Sequence, residues 1–180
     1  HPTSPRDAPC QRAQLLTNYA WGLLLAREAG QAPADWDITL PEGTDPTPLL
    51  DEAAALLGEG CPRQQARLAN VEVNLALAAL QDGDTALAGS HLAQAGAADQ
   101  LEERAALWAL LVHGRVALAE RRPLVAAATF GDLEALAIRY DSLDLEWLAR
   151  YERARALAAA GRPDAALAHY EGARQRFEEQ

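Results

Sequence analysis

The chain contains no methionine and no lysine in its 180 residues, so all 16 basic side chains are arginines. They are scattered among 26 Asp and Glu residues, leaving a formal net charge of −10 and no basic stripe. A surface that wraps a nucleic-acid backbone needs clustered cations to displace counterions, so nucleic acid is excluded as a partner. The acidity reads instead as a soluble, self-repelling surface. No stretch approaches the roughly 18 continuous apolar residues that a membrane-spanning helix requires. No Ser-His-Asp order, phosphate-cradling Gly-rich loop or isolated carboxylate pair stands out, so no catalytic residue is expected here. Cys10, Cys61, His91, His113 and His169 show no paired close spacing, which argues against zinc. Neither a metal nor a cofactor is expected. Methionine is missing even at the first position, where the chain opens His1-Pro2. That opening is expected of an excised piece of a longer protein, or of a mature product.

What is present is a repeat. Ala76, Ala88, Leu92 and Ala95 are matched by Gly114, Ala126, Phe130 and Leu133, then by Ala154, Ala166, Tyr170 and Ala173. Within each set the steps are twelve, then four, then three. The sets start at Ala76, Gly114 and Ala154, and a period of this length signals stacked helix pairs. Where two helices cross closely, Ala or Gly lets the backbones approach, and a Leu or aromatic from the neighbour fills the gap.

The turn chemistry divides the chain accordingly. Residues 1–8 form a Pro-rich lead-in or linker, and 9–180 form the repeat domain. The first helix runs from Pro9 to Ala29 and ends at Gly30. Segment 30–48 holds four prolines and two glycines and cannot be regular helix. Asp45 or Thr47 can cap the next helix, Leu49–Leu57, with Pro46 or Pro48 in its first turn. Further helices are predicted at 63–81, at 84–96 behind an Asp84 cap, and at 100–120 behind a capping box of Asp99 and Glu102. The last three span 123–138, 141–161 and 163–176. The pairs are then 9–58 with an inserted loop at 30–48, 62–97, 99–138 and 141–178. The expected fold class is all-α: an α-α superhelix, or solenoid, of four antiparallel pairs.

The segment NLALAALQDGDTALAGSHLAQA (74–95) resembles a tetratricopeptide repeat, with its small residue, Gly-Asp turn and second-helix Ala. ARALAAAGRPDAALAHYEGA (154–173) matches as well, whereas GRVALAERRPLVAAATFGDL (114–133) departs by placing Arg121-Arg122-Pro123 at the turn. The resemblance covers 62–178 well and the first pair more weakly, where Asn18-Tyr19-Ala20 parallels Asn74-Leu75-Ala76. In that pair the step from Ala20 to Ala53 far exceeds the usual twelve, and the inserted loop accounts for the excess. The resemblance implies a right-handed superhelix of TPR-like pairs that binds proteins. A narrower likeness lies in NYAWGLLLAREAG, LLDEAAALLGEGC and LANVEVNLALAAL. In series these are similar to bacterial repeat regions that precede CHAT-type caspase-like peptidase domains. That likeness implies a recognition or regulatory arm for a protease whose Cys–His domain would lie beyond Gln180.

Tetratricopeptide arrays line a concave face with the first helix of each pair. Alignment places Asn18, Trp21, Asn70, Asn74, Leu77, Trp108, Leu111, Arg115, Tyr151, Glu152 and Arg155 on that face. Asn amides can pair with an extended peptide, Arg can take a carboxylate bidentately, and Trp and Tyr offer apolar area with a polar tip. The set departs from the family's carboxylate clamp, which combines Lys and Asn. The alternative is that these residues merely solvate the groove or pack on an adjacent domain. His91 and His169 hold equivalent repeat positions, and His113 reads as a core-edge histidine.

Cys10 and Cys61 fall at the starts of the first and third helices, which share one edge of an antiparallel stack. A disulfide is the expectation, against the alternative of two unrelated thiols. Closing a loop of about 50 residues contributes roughly 4 kcal/mol in the loop-entropy model. A bridge favours an extracytoplasmic location. Trp36, Ile38 and Leu40 alternate along the inserted loop and are expected to dock beside the first pair, restricting access to Trp21 and Asn74.

The leading functional expectation is a non-catalytic scaffold for a protein or peptide partner, which includes the chain's own downstream domain. Two rivals are an intramolecular regulatory segment of a CHAT-type protease and a small-ligand sensor arm of a signalling protein.

Overall fold

A computed structural model describes residues 8–29, 45–58 and 61–178. Among these residues there are eight α-helices and one short 3-10 turn, and no strand. The helices are α1 (Ala8–Ala29), α2 (Thr47–Leu56), α3 (Gln64–Gln81), α4 (Thr85–Ala95), α5 (Glu103–Ala119), α6 (Pro123–Arg139), α7 (Leu143–Ala159) and α8 (Pro163–Glu178). The protein is therefore all-α. It divides into two compact units, His1–Gly96 and Ala97–Gln180. Helices α1–α4 belong to the first and α5–α8 to the second.

In the first unit α1, α2 and α3 share one core and α4 packs on α3. Ala13, Ala20 and Ala53 are fully buried there beside Leu50, Val71 and Leu75, so small residues stand where helices meet. Entry to α2 follows from its sequence. The Thr47 amide donates to the Asp45 carboxylate at 3.0 Å, and Pro48 sits in the first turn, where no amide is needed. The Thr47 amide, helped by the Thr47 hydroxyl and Arg27, holds the Asp45 carboxyl below its ordinary pKa. Gln81 Nε2 donates to the Leu24 carbonyl at 3.0 Å, which ties the end of α3 to the end of α1. Asp84 caps α4 as expected, accepting from the Leu87 amide at 2.9 Å.

The turns inside the pairs repeat with the sequence. Gly83, Arg121 and Gly161 hold equivalent places, and all are left-handed, with φ of 85°, 59° and 73°. After each, an amide closes back on the preceding helix: Asp84 to Ala79, Arg122 to Ala117, and Arg162 to Leu157, at 2.8–2.9 Å. That is the Schellman closure, and Arg121 makes it without the glycine such a φ favours.

One boundary differs from expectation. Asp99 and Glu102 form no capping box. Residues Ala98–Gln100 form a 3-10 turn, Leu101 and Glu102 are extended, and α5 begins only at Glu103. The tight turn draws Asp99 away from the first amides of α5.

The second unit is built around Phe130. Its ring is fully buried and joins Leu107, Leu111 and Leu133 with Leu145 and Ala149 of α7 and Ala166 of α8. Gly114 lies directly against that ring, and even a Cβ there would run into it. The glycine is set by close approach, not by backbone freedom.

A candidate binding surface on the second unit

Advancing the α5–α6 pair by one repeat lands on α7–α8, with Gly114 becoming Ala154 and Phe130 becoming Tyr170. Helix α7 packs against both α5 and α6. The seam carries charge as well as apolar surface. Glu152 of α7 is 1% exposed and accepts from Arg115 of α5, at 2.8 Å from Nε and 2.7 Å from Nη2. Its other oxygen takes Arg155 Nη1 at 2.8 Å. Along the same seam, Glu134 of α6 takes Arg150 Nε at 2.8 Å and Arg153 Nη1 at 3.3 Å. Arg150 Nη2 also reaches the buried Glu146 at 2.9 Å. Gly131 leaves room for the guanidinium, since a Cβ there would stand 3.3 Å from Arg153 Cζ.

A carboxylate as deeply buried as Glu152 persists only because two guanidinium groups hold it. Replacing Glu152 by Leu should destabilise the second unit by about 2 kcal/mol, below the usual figure for a broken buried pair because Arg115 and Arg155 keep some access to water. The double variant Glu152→Leu, Arg115→Met should recover most of that loss. Urea unfolding of the two variants and the parent protein checks this. A double variant no more stable than Glu152→Leu alone would mean that the lone Arg115 charge is not the source of the cost.

On α7–α8 the equivalent face is open. Phe177 stands edge-on to Trp147, with centroids 5.5 Å apart and planes at 74°. Tyr170 tilts against Tyr151 at 5.6 Å. Tyr151 is 43% exposed, Leu167 58% and Phe177 60%. Arg155 and Arg174 stand exposed beside them. Such a strip offers aromatic area with two cations at its edge, which suits an apolar and acidic partner.

The residues assigned to the concave face separate into two sets. Asn18 is exposed and accepts from Gln14 at 3.0 Å, while Trp21 and Asn70 are half-buried, all in the first unit. Trp108 and Arg115 are half-buried on α5, and Tyr151 and Arg155 are exposed on α7. The other four require correction as contact residues. Asn74, Leu77, Leu111 and Glu152 are 3%, 2%, 0% and 1% exposed, so they offer no surface to a peptide. Position along a first helix was not enough, because neighbouring helices cover more than one of its faces. Arg115, Glu152 and Arg155 do come together around a buried carboxylate, and of the three Arg155 alone stays exposed.

Sequence reasoning missed Glu134, Glu146, Arg150 and Arg153. Acidic residues read as caps and outer-face charge, but Glu146 is buried. The available signal was the Arg150–Arg153 step of three, which puts both guanidinium groups on one side of α7. Cys10 and Cys61 are bonded to each other, with Cα atoms 5.6 Å apart. His91 hydrogen-bonds Glu72 at 2.8 Å. His113 is exposed on α5, and desolvation still lowers its pKa from 6.5, as suits the margin of the core. The docking expected of Trp36, Ile38 and Leu40 lies outside the described residues.

The His169 pKa is lowered from 6.5 by desolvation first, then by Arg153 and Arg150, with Glu134 opposing. The folded state thus resists a proton that the unfolded chain accepts. The resulting stability is complete above 6.5 and declines as pH falls through the lower folded value. An NMR titration of His169 should give a midpoint below 6.5, and His169→Gln should flatten the acid side of the stability profile. A midpoint at or above 6.5 would contradict the assigned burial.

No family model, no curated protein and no solved structure matches the chain. Among the described residues no helix is long and apolar enough to cross a membrane. Nor do three or more His, Cys, Asp or Glu side chains there gather as a metal would need.

Proposed function

We propose that the chain is a non-catalytic protein- or peptide-binding module of TPR-like helix pairs, four in all, serving as a recognition arm of a larger assembly. The observation that carries this reading is the pair of equivalent faces in the second unit. One is filled by a helix, and the other stands open with exposed aromatic and arginine side chains. A repeat that buries one helix on each face is suited to receive a further segment wherever such a face is unfilled. The bridge between Cys10 and Cys61 supports an extracytoplasmic setting for the module, since such bonds persist where thiols are not kept reduced.

The test is a displayed peptide library panned against the full chain, with bound peptides mapped by amide chemical shifts. Enrichment of apolar, acidic peptides that shift amides around Tyr151 and Arg155 is the expected result. A chain that enriches no peptide under any salt condition is not a peptide-binding module.

A further inference from the structure

The open face also specifies its occupant. We infer that the α7–α8 face docks an acidic amphipathic helix of a partner protein, in the manner in which the α5–α6 face receives α7. This rests on the binding-module reading and goes beyond it by fixing the partner's secondary structure and charge.

The one-repeat shift that carries Gly114 to Ala154 supplies the template. Leu107, Leu111, Phe130 and Ala137 are all buried in the cluster shared with α7. Their equivalents Trp147, Tyr151, Tyr170 and Phe177 are each half-buried or exposed. The filled face is covered by a helix, so the matched open face is shaped for one. Larger side chains at these four positions offer more apolar area than the filled face does.

Charge then selects among helices. On the filled face α7 brings Glu152 to Arg115, and Arg150 and Arg153 to Glu134. On the open face the first position is again arginine, Arg155, half-exposed with its Nη1 on Glu152, but the second has changed sign, from Glu134 to Arg174. A helix with the charges of α7 would put two arginines against Arg174. The occupant must therefore carry carboxylates at both places. Arg174 is 72% exposed and, among the described residues, pairs with Glu178 at 3.2 Å, an exposed pair worth little, so it can turn to a partner. Glu171 is also exposed, three residues before Arg174 on α8 and so on its side of the helix. A second copy offering this same face would oppose arginine with arginine, which argues against a dimer through it.

The experiment uses the full chain and two fluorescent, helix-stabilised peptides spanning residues 143–159. One has the native sequence and the other carries Arg150→Glu and Arg153→Glu. Fluorescence anisotropy should show the acidic peptide binding at least about tenfold more tightly than the native one. Arg174→Glu in the protein should reverse that order, and Phe177→Ala should weaken the acidic peptide about tenfold. Both protein substitutions fall at exposed side chains, and unchanged thermal melting confirms that each variant is folded. Equal affinity of the two peptides, no binding of either, or an order that Arg174→Glu leaves untouched overturns the inference. Sedimentation that reveals a dimer dissociated by Phe177→Ala would make a second copy the occupant, and also overturns it. Library peptides that bind elsewhere while this face stays silent defeat the inference alone, whereas a chain that binds no peptide defeats the binding-module reading with it.

Discussion

Replacing Phe130 by Ala should destabilise the second unit by about 3–5 kcal/mol, the range for removing a fully buried aromatic ring. The cost includes a cavity term, and the site has little means of closing the gap. The nearest neighbour across the crossing is Gly114, which has no side chain to move inward. The other neighbours, Leu107, Leu111 and Leu133, sit on three separate turns and are already buried. Collapse would have to move whole helices, which dense interiors resist. Gly114→Ala in the native background should also destabilise, by about 1–3 kcal/mol, because the added methyl meets the ring. Combined with Phe130→Leu, the same Gly114→Ala should be less harmful than alone, since the smaller side chain makes room. Denaturant unfolding followed by circular dichroism checks all three variants. A Phe130→Ala cost below about 1 kcal/mol would mean that the ring does not hold the crossing.

The Gly114–Phe130 contact was legible in the sequence, and it is instructive to see why. The repeat spacing put a small residue and a large one at fixed positions in successive helices. Three copies of that pattern are hard to explain by anything but a close crossing. The turns were legible for the same reason, since Gly83 and Gly161 mark a left-handed residue and Arg121 is recognised by its place between them. Where a single copy had to decide, the reading failed. Asp99 and Glu102 have capping-box spacing, but one short 3-10 turn suffices to separate them from the helix they were expected to cap.

The surface was harder to read than the fold. Periodicity identifies which residues share a helix face, yet every inner helix of a stack has several covered faces. Leu77 and Leu111 were assigned to a groove on position alone, and packing claims them instead. Glu146 and Glu152 were hidden for a different reason. Glutamate is ordinarily solvated, and the arginines that permit burial can be far away in sequence, as Arg115 is from Glu152. Such a pair becomes visible only when two helices have been placed side by side. The open α7–α8 face is also a comparison, in which the same positions differ in cover and in the sign of one charge.

Reducing the Cys10–Cys61 bond should cost the first unit roughly 4 kcal/mol in the loop-entropy model, and no less than about 2 kcal/mol after allowance for structure in the reduced chain. The bond joins positions 51 residues apart, so it removes much of the freedom the unfolded chain would otherwise have. Native contacts around it are few but directed. Cys10 is 7% exposed, Arg67 Nη1 donates to its carbonyl at 3.3 Å, and Gln64 Nε2 donates to the Leu57 carbonyl at 2.9 Å. The Arg67 bond holds the first turns of α1 and α3 near each other and the Gln64 bond ties α3 to the end of α2, but neither replaces a covalent link. Reduction should therefore loosen the start of α1 before the rest of the unit. Hydrogen exchange should accelerate for amides of the first two turns of α1, while those of α7 and α8 keep their protection. Digestion without reductant should yield the Cys10 and Cys61 peptides linked, and addition of dithiothreitol should lower the first unit's melting temperature. Free thiols in protein kept under oxidising conditions throughout would remove the bond, and with it the support for an extracytoplasmic setting. Linked peptides with an unchanged melting temperature on reduction would leave the bond in place but deny it this stabilising role. The two results separate the chemistry of the cysteines from their mechanical consequence, and only the first bears on where the protein resides.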